Sequence, residues 1–524
     1  MLKKYFLPIL VLLSGVLSLT MPGCKPREEE LQTSGALEFS ADTVKFDTVF
    51  TTLRTVTKRL WVYNRNPKGV NVDLVTLDQP VTSPYTLIIN GDLKQTASNL
   101  FIRGEDSLLI LVRAKLPDSG QNGAAKGYVL EEKLNFRTNG QDQRVLLRSF
   151  GQNIYLHDNV ALACNSIWTN DRPHVLYDTV LVPVNCTLTI KPGTRIYAHA
   201  GAVLLVQGTL RVNSPSDFTP GSGMTDTISE RSALRVRFAG DRSGETQYAT
   251  APGQWTGIQF YPTSRNNIIR YATIQNASVG MWLLGSNSST AVQPDVLVQN
   301  SIIRYISGGS VNFAGALSNR RGLPGAGILS LAGKATVENT LFSDCYEYAM
   351  LGYGGNYALN YCTIANYAAT GAVRNTPSLG FTNASALDTD TTKRSPLTVK
   401  VYNSIVWGAI DDELVLANYK EYQNGPVDIR NTLLRTKLYS AATDVATKPG
   451  LAKSSLNNLI SPDPLYPKFT RYGAGTASNY SLGLGSPGLS RSTQQQVQPL
   501  LDRDLLNVPR PAARADLGAY QTTK

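Results

Sequence analysis

The sequence predicts an all-β protein in two parts, a sandwich of short strands followed by a long solenoid of parallel strands. Three observations predict it. The 524 residues are 42% hydrophobic and 17% charged, with 43 Gly and 25 Tyr, and no long run carries apolar residues at helical spacing. Over residues 37–153, short alternating runs are separated by turn residues. From about residue 160, one motif returns six times: an apolar residue, a spacer, Asn or Tyr, a small residue, then two apolar-leaning positions.

In chain order, residues 1–24 read as a targeting segment. Lys3 and Lys4 form a charged start, and Tyr5 to Leu19 is an apolar run shorter than the ~20 residues that span a bilayer. It ends in "MPGC", with small Gly23 before Cys24. This resembles a bacterial lipoprotein signal. The "KPREEE" that follows, with its acidic cluster, resembles the surface-export signal of Bacteroidota lipoproteins. The resemblance implies lipidation of Cys24 and an outer-membrane lipoprotein exposed at the cell surface, held to the membrane by its lipid anchor only. Residues 25–36 form a polar tether.

The formal net charge of +11 is scattered, with no basic block of five or six residues. That argues against nucleic acid as partner and for attraction to acidic polymers such as uronate-bearing glycans. Beyond Cys24 there are four cysteines, Cys164, Cys186, Cys345 and Cys362. They lack CxxC spacing and clustered His partners, so no metal site is expected. A Cys164–Cys186 disulfide and buried free thiols both remain open.

The runs "KRLWVYN", "SLLILVRAKL", "EKLNFRTNG" and "QRVLLRSFGQ" alternate as half-buried strands do, and "NPKG", "DSGQNG" and "TNGQ" are turn chemistry. They predict an immunoglobulin-like sandwich over 37–153. Their order is similar to the Ig-like modules of secreted Bacteroidota proteins, which implies a spacer or docking unit.

The second part covers 160–520. In its repeats the first apolar column is Ile269, Val298, Val337, Leu359, Val401 and Ile429. Two residues later stand Tyr271, Asn300, Asn339, Tyr361, Asn403 and Asn431, each followed by a small residue. The second apolar column is Ile274, Ile303, Phe342, Ile364, Val406 and Leu434. The spacings are 29, 39, 22, 42 and 28 residues. The shortest is about one solenoid turn; the longer ones are one turn with an insertion, or two turns. Stacked turns bury the apolar columns, and Asn suits a corner because it tolerates the left-handed conformation and bonds neighbouring backbone. Asn300, Asn339, Asn403 and Asn431 are therefore read as structural corner residues, whose side chains could also bond along the axis. The pattern, with "LTIKPGTRI" and "QWTGIQF" before it and "DLGAY" at its end, resembles the right-handed parallel β-helix family of pectate-lyase-like shape. The resemblance implies the fold, with "DLGAY" as a final strand; it does not carry an activity.

A lyase on such a fold needs clustered carboxylates for Ca²⁺, and a hydrolase needs two or three on neighbouring turns. The best acidic cluster is "IDDEL", making Asp411, Asp412 and Glu413 catalytic candidates; a solvated loop is the simpler reading. His157, His174 and His199 are far apart in sequence and precede the repeats, so they read as surface or corner histidines. One residue past the second apolar column lie Gln275, Arg304, Ser343, Ala365, Trp407 and Arg435, a column that should face outward. Sugar rings stack on aromatics and their hydroxyls bond Arg. Trp407, Arg435, Arg304, Tyr346 and Tyr367 are therefore glycan-binding candidates. Insertions near Ser307–Gly327 and Arg374–Ser395 could flank such a face.

The expectation is a lipid-anchored surface protein that binds an extended polysaccharide without cleaving it. The alternatives are a polysaccharide lyase, glycoside hydrolase or epimerase, and a structural or adhesive protein with a protein partner. No cofactor is implied, and Ca²⁺ enters only with the enzyme alternative.

Overall fold

The structure is a computed structural model describing residues 31–120, 127–215, 232–286, 292–307, 322, 324–367, 374–385, 393–419, 427–445, 447–471, 478–493 and 501–522. Cys24, most of the first insertion and residues 386–392 of the second lie outside these residues. The chain forms two compact units, one whose described residues end at Gln152 and one beginning at Asn153.

The first unit is two five-stranded sheets. One holds Glu38–Phe39, Lys58–Tyr63, Ser107–Ala114, Tyr85–Ile89 and Asp92–Leu93, in that order. The other holds Thr43–Phe50, Gln141–Gln152, Tyr128–Thr138, Val70–Leu77 and Thr96–Ile102. Pairing is antiparallel except between Thr43–Phe50 and Gln141–Gln152. Alternation buries one face of each strand, so Leu60, Val62, Ile110 and Val112 of one sheet share a core with Phe46, Val72, Phe136 and Leu147 of the other.

The second unit is built of parallel ladders, and each circuit of chain adds one strand to each of three. The first ladder includes Asn267–Arg270, Asp295–Gln299, Lys334–Glu338, Gly355–Asn360, Leu397–Tyr402 and Val427–Arg430. The second includes Arg195–Ala198, Val236–Gly240, Ala272–Gln275, Ile302–Ile306, Leu341–Cys345, Thr363–Asn366, Ile405–Gly408 and Leu433–Leu434. The third includes Val203–Val206, Gly257–Phe260, Met281–Leu284, Ala326–Leu331, Tyr348–Tyr353, Leu379–Thr382 and Leu414–Ala417.

The two apolar columns pair member to member, Ile269 with Val298 through to Val401 with Ile429, and Ile274 with Ile303 through to Val406 with Leu434. Every spacing is thus one circuit, and the long ones carry insertions. All twelve side chains lie in one continuous core.

The corner between the first and second ladders has one left-handed residue per circuit. Tyr271, Asn300, Asn339, Tyr361, Asn403 and Asn431 have φ of 44°, 48°, 46°, 51°, 48° and 50°. Asn adopts this region more readily than most residues. The corner stacks through its backbone: the amides of Asn300, Asn339, Tyr361 and Asn403 donate to the carbonyls of Glu338, Asn360, Tyr402 and Arg430 on the next circuit, at 3.1–3.3 Å. The axial bonding expected of the side chains occurs in part: Asn403 Nδ2 donates to Asn360 Oδ1 at 3.3 Å and Asn457 Nδ2 to Asn431 Oδ1 at 2.8 Å, while other bonds leave the axis. Asn339 Nδ2 donates to Arg503 O at 2.5 Å and Asn431 Nδ2 to Thr493 Oγ1 at 2.6 Å, while Asn403 Oδ1 accepts from Thr493 N at 3.3 Å. These asparagines tie down the closing segment of the chain.

That segment does not add a final strand either. "DLGAY" lies across the corner and the outer face of the second ladder: Gly518 N donates to Asn403 O at 2.8 Å and Ala519 N to Thr363 Oγ1 at 2.8 Å. Gly518 has φ +86°, and a Cβ there would lie 2.5 Å from Thr363 Oγ1, so the close approach requires glycine. Cys164 and Cys186 form a disulfide, and Cys345 and Cys362 are buried thiols.

Candidate functional site

The second ladder presents its outer face in two columns. One runs Tyr197, Ala239, Gln275, Arg304, Ser343, Ala365, Trp407; the other runs Arg195, Arg237, Thr273, Ile302, Leu341, Thr363, Ile405, Leu433. Early circuits are polar and cationic, later ones apolar. Chain beyond residue 460 covers the apolar end: Ile302, Leu341, Ala365, Ile405, Trp407 and Leu433 share a core with Phe469, Tyr480, Leu482, Leu505, Leu517 and Tyr520.

Trp407 therefore faces away from the internal core, as its column requires, yet it is not exposed. It is 0% accessible, its Nε1 donates to Pro464 O at 3.1 Å, and its ring lies 6.0 Å from that of Tyr466. It is a packing residue and offers no platform to a sugar. Arg435 is also buried, donating to Gly408 O, Pro462 O and Asp411 Oδ1 at 2.5, 3.2 and 3.0 Å. Tyr367 packs the closing hairpin, with its ring 6.3 Å from Tyr480 and 6.4 Å from Phe469. Tyr346 is half-buried after Leu341–Cys345, its amide donating to Ile306 O at 3.0 Å.

The acidic cluster is likewise structural. Glu413 is fully buried against Arg374 and accepts from Ser378 N and Oγ and from Ile410 N at 3.0, 2.6 and 3.0 Å. Asp412 Oδ1 clasps a loop, accepting from Thr436 Oγ1, Lys437 N and Leu438 N at 2.7–2.8 Å. Asp411 pairs with Lys437 and Arg435, and these cations hold its carboxyl below its ordinary range. The three acids do not converge on one open space.

Of the predicted residues, Arg304 lines an open cleft. This cleft of about 770 Å³ is floored by five successive circuits of the second ladder, from Tyr197 to Ser343. Its opposite wall is the antiparallel hairpin Phe469–Arg471 with Asn479–Leu482, together with Leu506 and Tyr520. Arg237, Arg304 and Arg471 supply positive charge, and Tyr197 and Tyr305 supply aromatic surface, while Tyr480 and Tyr520 border the cleft with rings largely buried in the closing core. Gln275 Oε1 accepts from Arg304 Nε at 3.1 Å and so helps orient the guanidinium. Asp344 is the acidic residue in the lining; it is 5% accessible, and burial pushes its pKa up against the lowering effects of Ser343 and Arg304.

Arg237, Tyr197 and Arg471 were missed by the sequence reading. The outward column that named Arg304 extends back by two circuits to Tyr197, and Arg237 lies on the same face, so two of the three had a signal. Arg471 had none, because it arrives from outside the repeats. The histidines are also closer than their sequence separation implied. His157 Nε2 and His174 Nδ1 are 2.9 Å apart, with both rings stacked on Trp168. His199 Nδ1 is 2.6 Å from Asp241 Oδ2, under the ring of Tyr177. Among the described residues, no group of three or more His, Cys, Asp or Glu could hold a metal ion.

No family model matches the chain, and no curated protein matches it. A family 123 glycoside hydrolase from Clostridium perfringens, described for glycolipid glycan hydrolysis, is similar at 9% identity and a TM-score of 0.17, over 26% of this chain and 30% of that one. A PapD-like (ASH) domain of a human protein is similar at 14% identity and a TM-score of 0.16, over 25% of this chain and 92% of that domain. The catalytic domain of a GH87 α-1,3-glucanase, in complex with tetrasaccharides, is similar at 7% identity and a TM-score of 0.13, over 72% and 77%. The chain spans under a third of the first of these, and at such TM-scores the likenesses carry no argument about chemistry.

Proposed function

We propose that this is a lipid-anchored protein of the outer-membrane surface, in which an Ig-like sandwich carries a right-handed parallel β-helix that binds an extended polysaccharide without cleaving it. The single observation that carries the binding reading is the cleft along the second ladder, where tyrosine rings and guanidinium groups face each other across a groove several circuits long. At the ~4.8 Å strand spacing, five circuits span roughly 19 Å, which suits a chain ligand better than a compact one. Pyranose faces stack on Tyr197 or Tyr305, while Arg304 and Asn479 bond hydroxyls.

The helical reading is supported by three parallel ladders enclosing one core and by the strong preference of parallel crossovers for the right hand. The Ig-like reading is supported by two mostly antiparallel sheets over a second core. Surface anchoring rests on the leader and Cys24. The non-cleaving reading is supported by Asp344 being the one carboxylate among the described lining residues, since glycoside hydrolysis uses a pair.

One observation favours a second reading. His199 and Asp241 form a dyad on the outer face of the ladder, two positions past the lining residues Tyr197 and Ala239, in the arrangement that orients a general base. The experiment is binding of the mature protein to a polysaccharide panel, followed by assay of the bound glycans for reducing or unsaturated ends. Tyr197→Ala should weaken binding by roughly 5- to 150-fold, taking the ~1–3 kcal/mol of an aromatic stacking contact. Absence of binding overturns the proposal, and release of ends that stops in His199→Asn moves it to the enzyme reading.

A further inference from the structure

We propose that the cleft selects glycans bearing regularly spaced anionic groups, carboxylate or sulfate, with Arg237 and Arg304 on its floor and Arg471 on its opposite wall as the recognition residues. The inference rests on the reading that the cleft binds a polysaccharide, and adds which polysaccharide.

Three placements carry it. Arg237 and Arg304 stand two circuits apart on one outer face, about 9.6 Å along the axis from the strand spacing and in adjacent outward columns. The repeat of an extended sugar chain is close to that spacing, so a chain laid along the ladder keeps its substituents in step with the circuits. Arg471 reaches the same space from the hairpin, so an anion between floor and wall meets guanidinium groups from two sides. A guanidinium presents a planar fork that matches carboxylate and sulfate oxygens, and low-dielectric walls strengthen such charge-assisted bonds.

The balance of charge points the same way. Among the described lining residues there are three arginines and one acid, Asp344, whose side chain is almost wholly buried beside Ser343. Burial disfavours its ionised form, which reduces its competition for Arg304.

The test uses the mature chain with polygalacturonate, dextran sulfate and unmodified dextran, measured by calorimetry at low and high NaCl. Arg237→Gln with Arg471→Gln is the main variant, because both residues are exposed and their loss should leave the melting temperature unchanged. The expected result is tight, salt-sensitive binding to one or both polyanions, weak binding to dextran, and a ~10- to 100-fold loss in the double variant. The stronger of the two polyanions identifies carboxylate or sulfate as the group read. Dextran bound as tightly as the polyanions, with the double variant unaffected, overturns the anionic selection and leaves the glycan reading standing. Polyanion binding that the double variant does not weaken removes it from the cleft. Failure to bind any of the three overturns the inference together with the reading beneath it.

Discussion

Arg510 donates through Nη2 to Asn339 Oδ1 at 2.8 Å, joining the corner of a middle circuit to a residue 171 positions later. The same guanidinium bonds Gly518 O at 2.9 Å and lies 4.0 Å above the ring of Tyr361. Burial pushes its pKa down to about 10, so it stays charged at neutral pH. Arg510→Met should cost about 3 kcal/mol, because Asn339 Oδ1 and Gly518 O lose a buried donor. Denaturant unfolding measures the loss, and limited proteolysis should cut first within 461–522. A melting curve like that of the unaltered protein would show that this contact does not hold the segment.

Trp407→Ala should remove about 3–5 kcal/mol of stability by leaving a cavity between the second ladder and the closing segment. Glycan affinity per folded molecule should change little. A stable variant with weakened binding would return Trp407 to the ligand face.

Glu413→Gln should destabilise by about 3–5 kcal/mol, because the buried Arg374 loses its counter-charge. Asp411→Asn alters an exposed carboxylate whose partners are the exposed Lys437 and the guanidinium of Arg435, and should cost clearly less than the loss of Glu413. Comparable unfolding midpoints for the two variants would contradict this division.

Stability should fall in mild acid because of the stacked histidines. Burial pushes His157 from its ordinary 6.5 to about 4, and burial with the neighbouring His157 pushes His174 to about 3. The unfolded chain then binds more protons than the folded one between those values and 6.5, so this contribution is full above pH 6.5 and declines as pH falls through that window. The expected loss is on the order of 2 kcal/mol per histidine by about pH 5. Unfolding midpoints should therefore drop between about pH 7.5 and about pH 5, and His157→Phe should flatten part of the slope. An unchanged slope in that variant would locate the acid sensitivity elsewhere.

Metabolic labelling with a fatty-acid analogue should mark the intact chain and fail on Cys24→Ala. Equal labelling of both would remove lipidation from Cys24.

The sequence by itself determined the parallel part through properties that are local. Apolar columns must be buried, and a left-handed corner suits Asn, so aligning the motif reproduced the pairing of Val298 with Val337 and of Ile303 with Phe342 without knowledge of distant contacts. The same alignment indicated that Arg304 and Trp407 face away from the internal core, and both do. Alternation along a strand tells only which side of a sheet a residue takes, and whether that side meets water depends on what else packs there. Only the tertiary structure decided that question. Residues 461–522 return over the apolar later circuits, bury Trp407, Arg435 and Tyr367, and stop at the polar earlier ones, where Arg237 and Arg304 face Arg471. That return is specified by contacts such as Arg510 with Asn339, which join residues far apart in the chain and leave no repeat or spacing to be read.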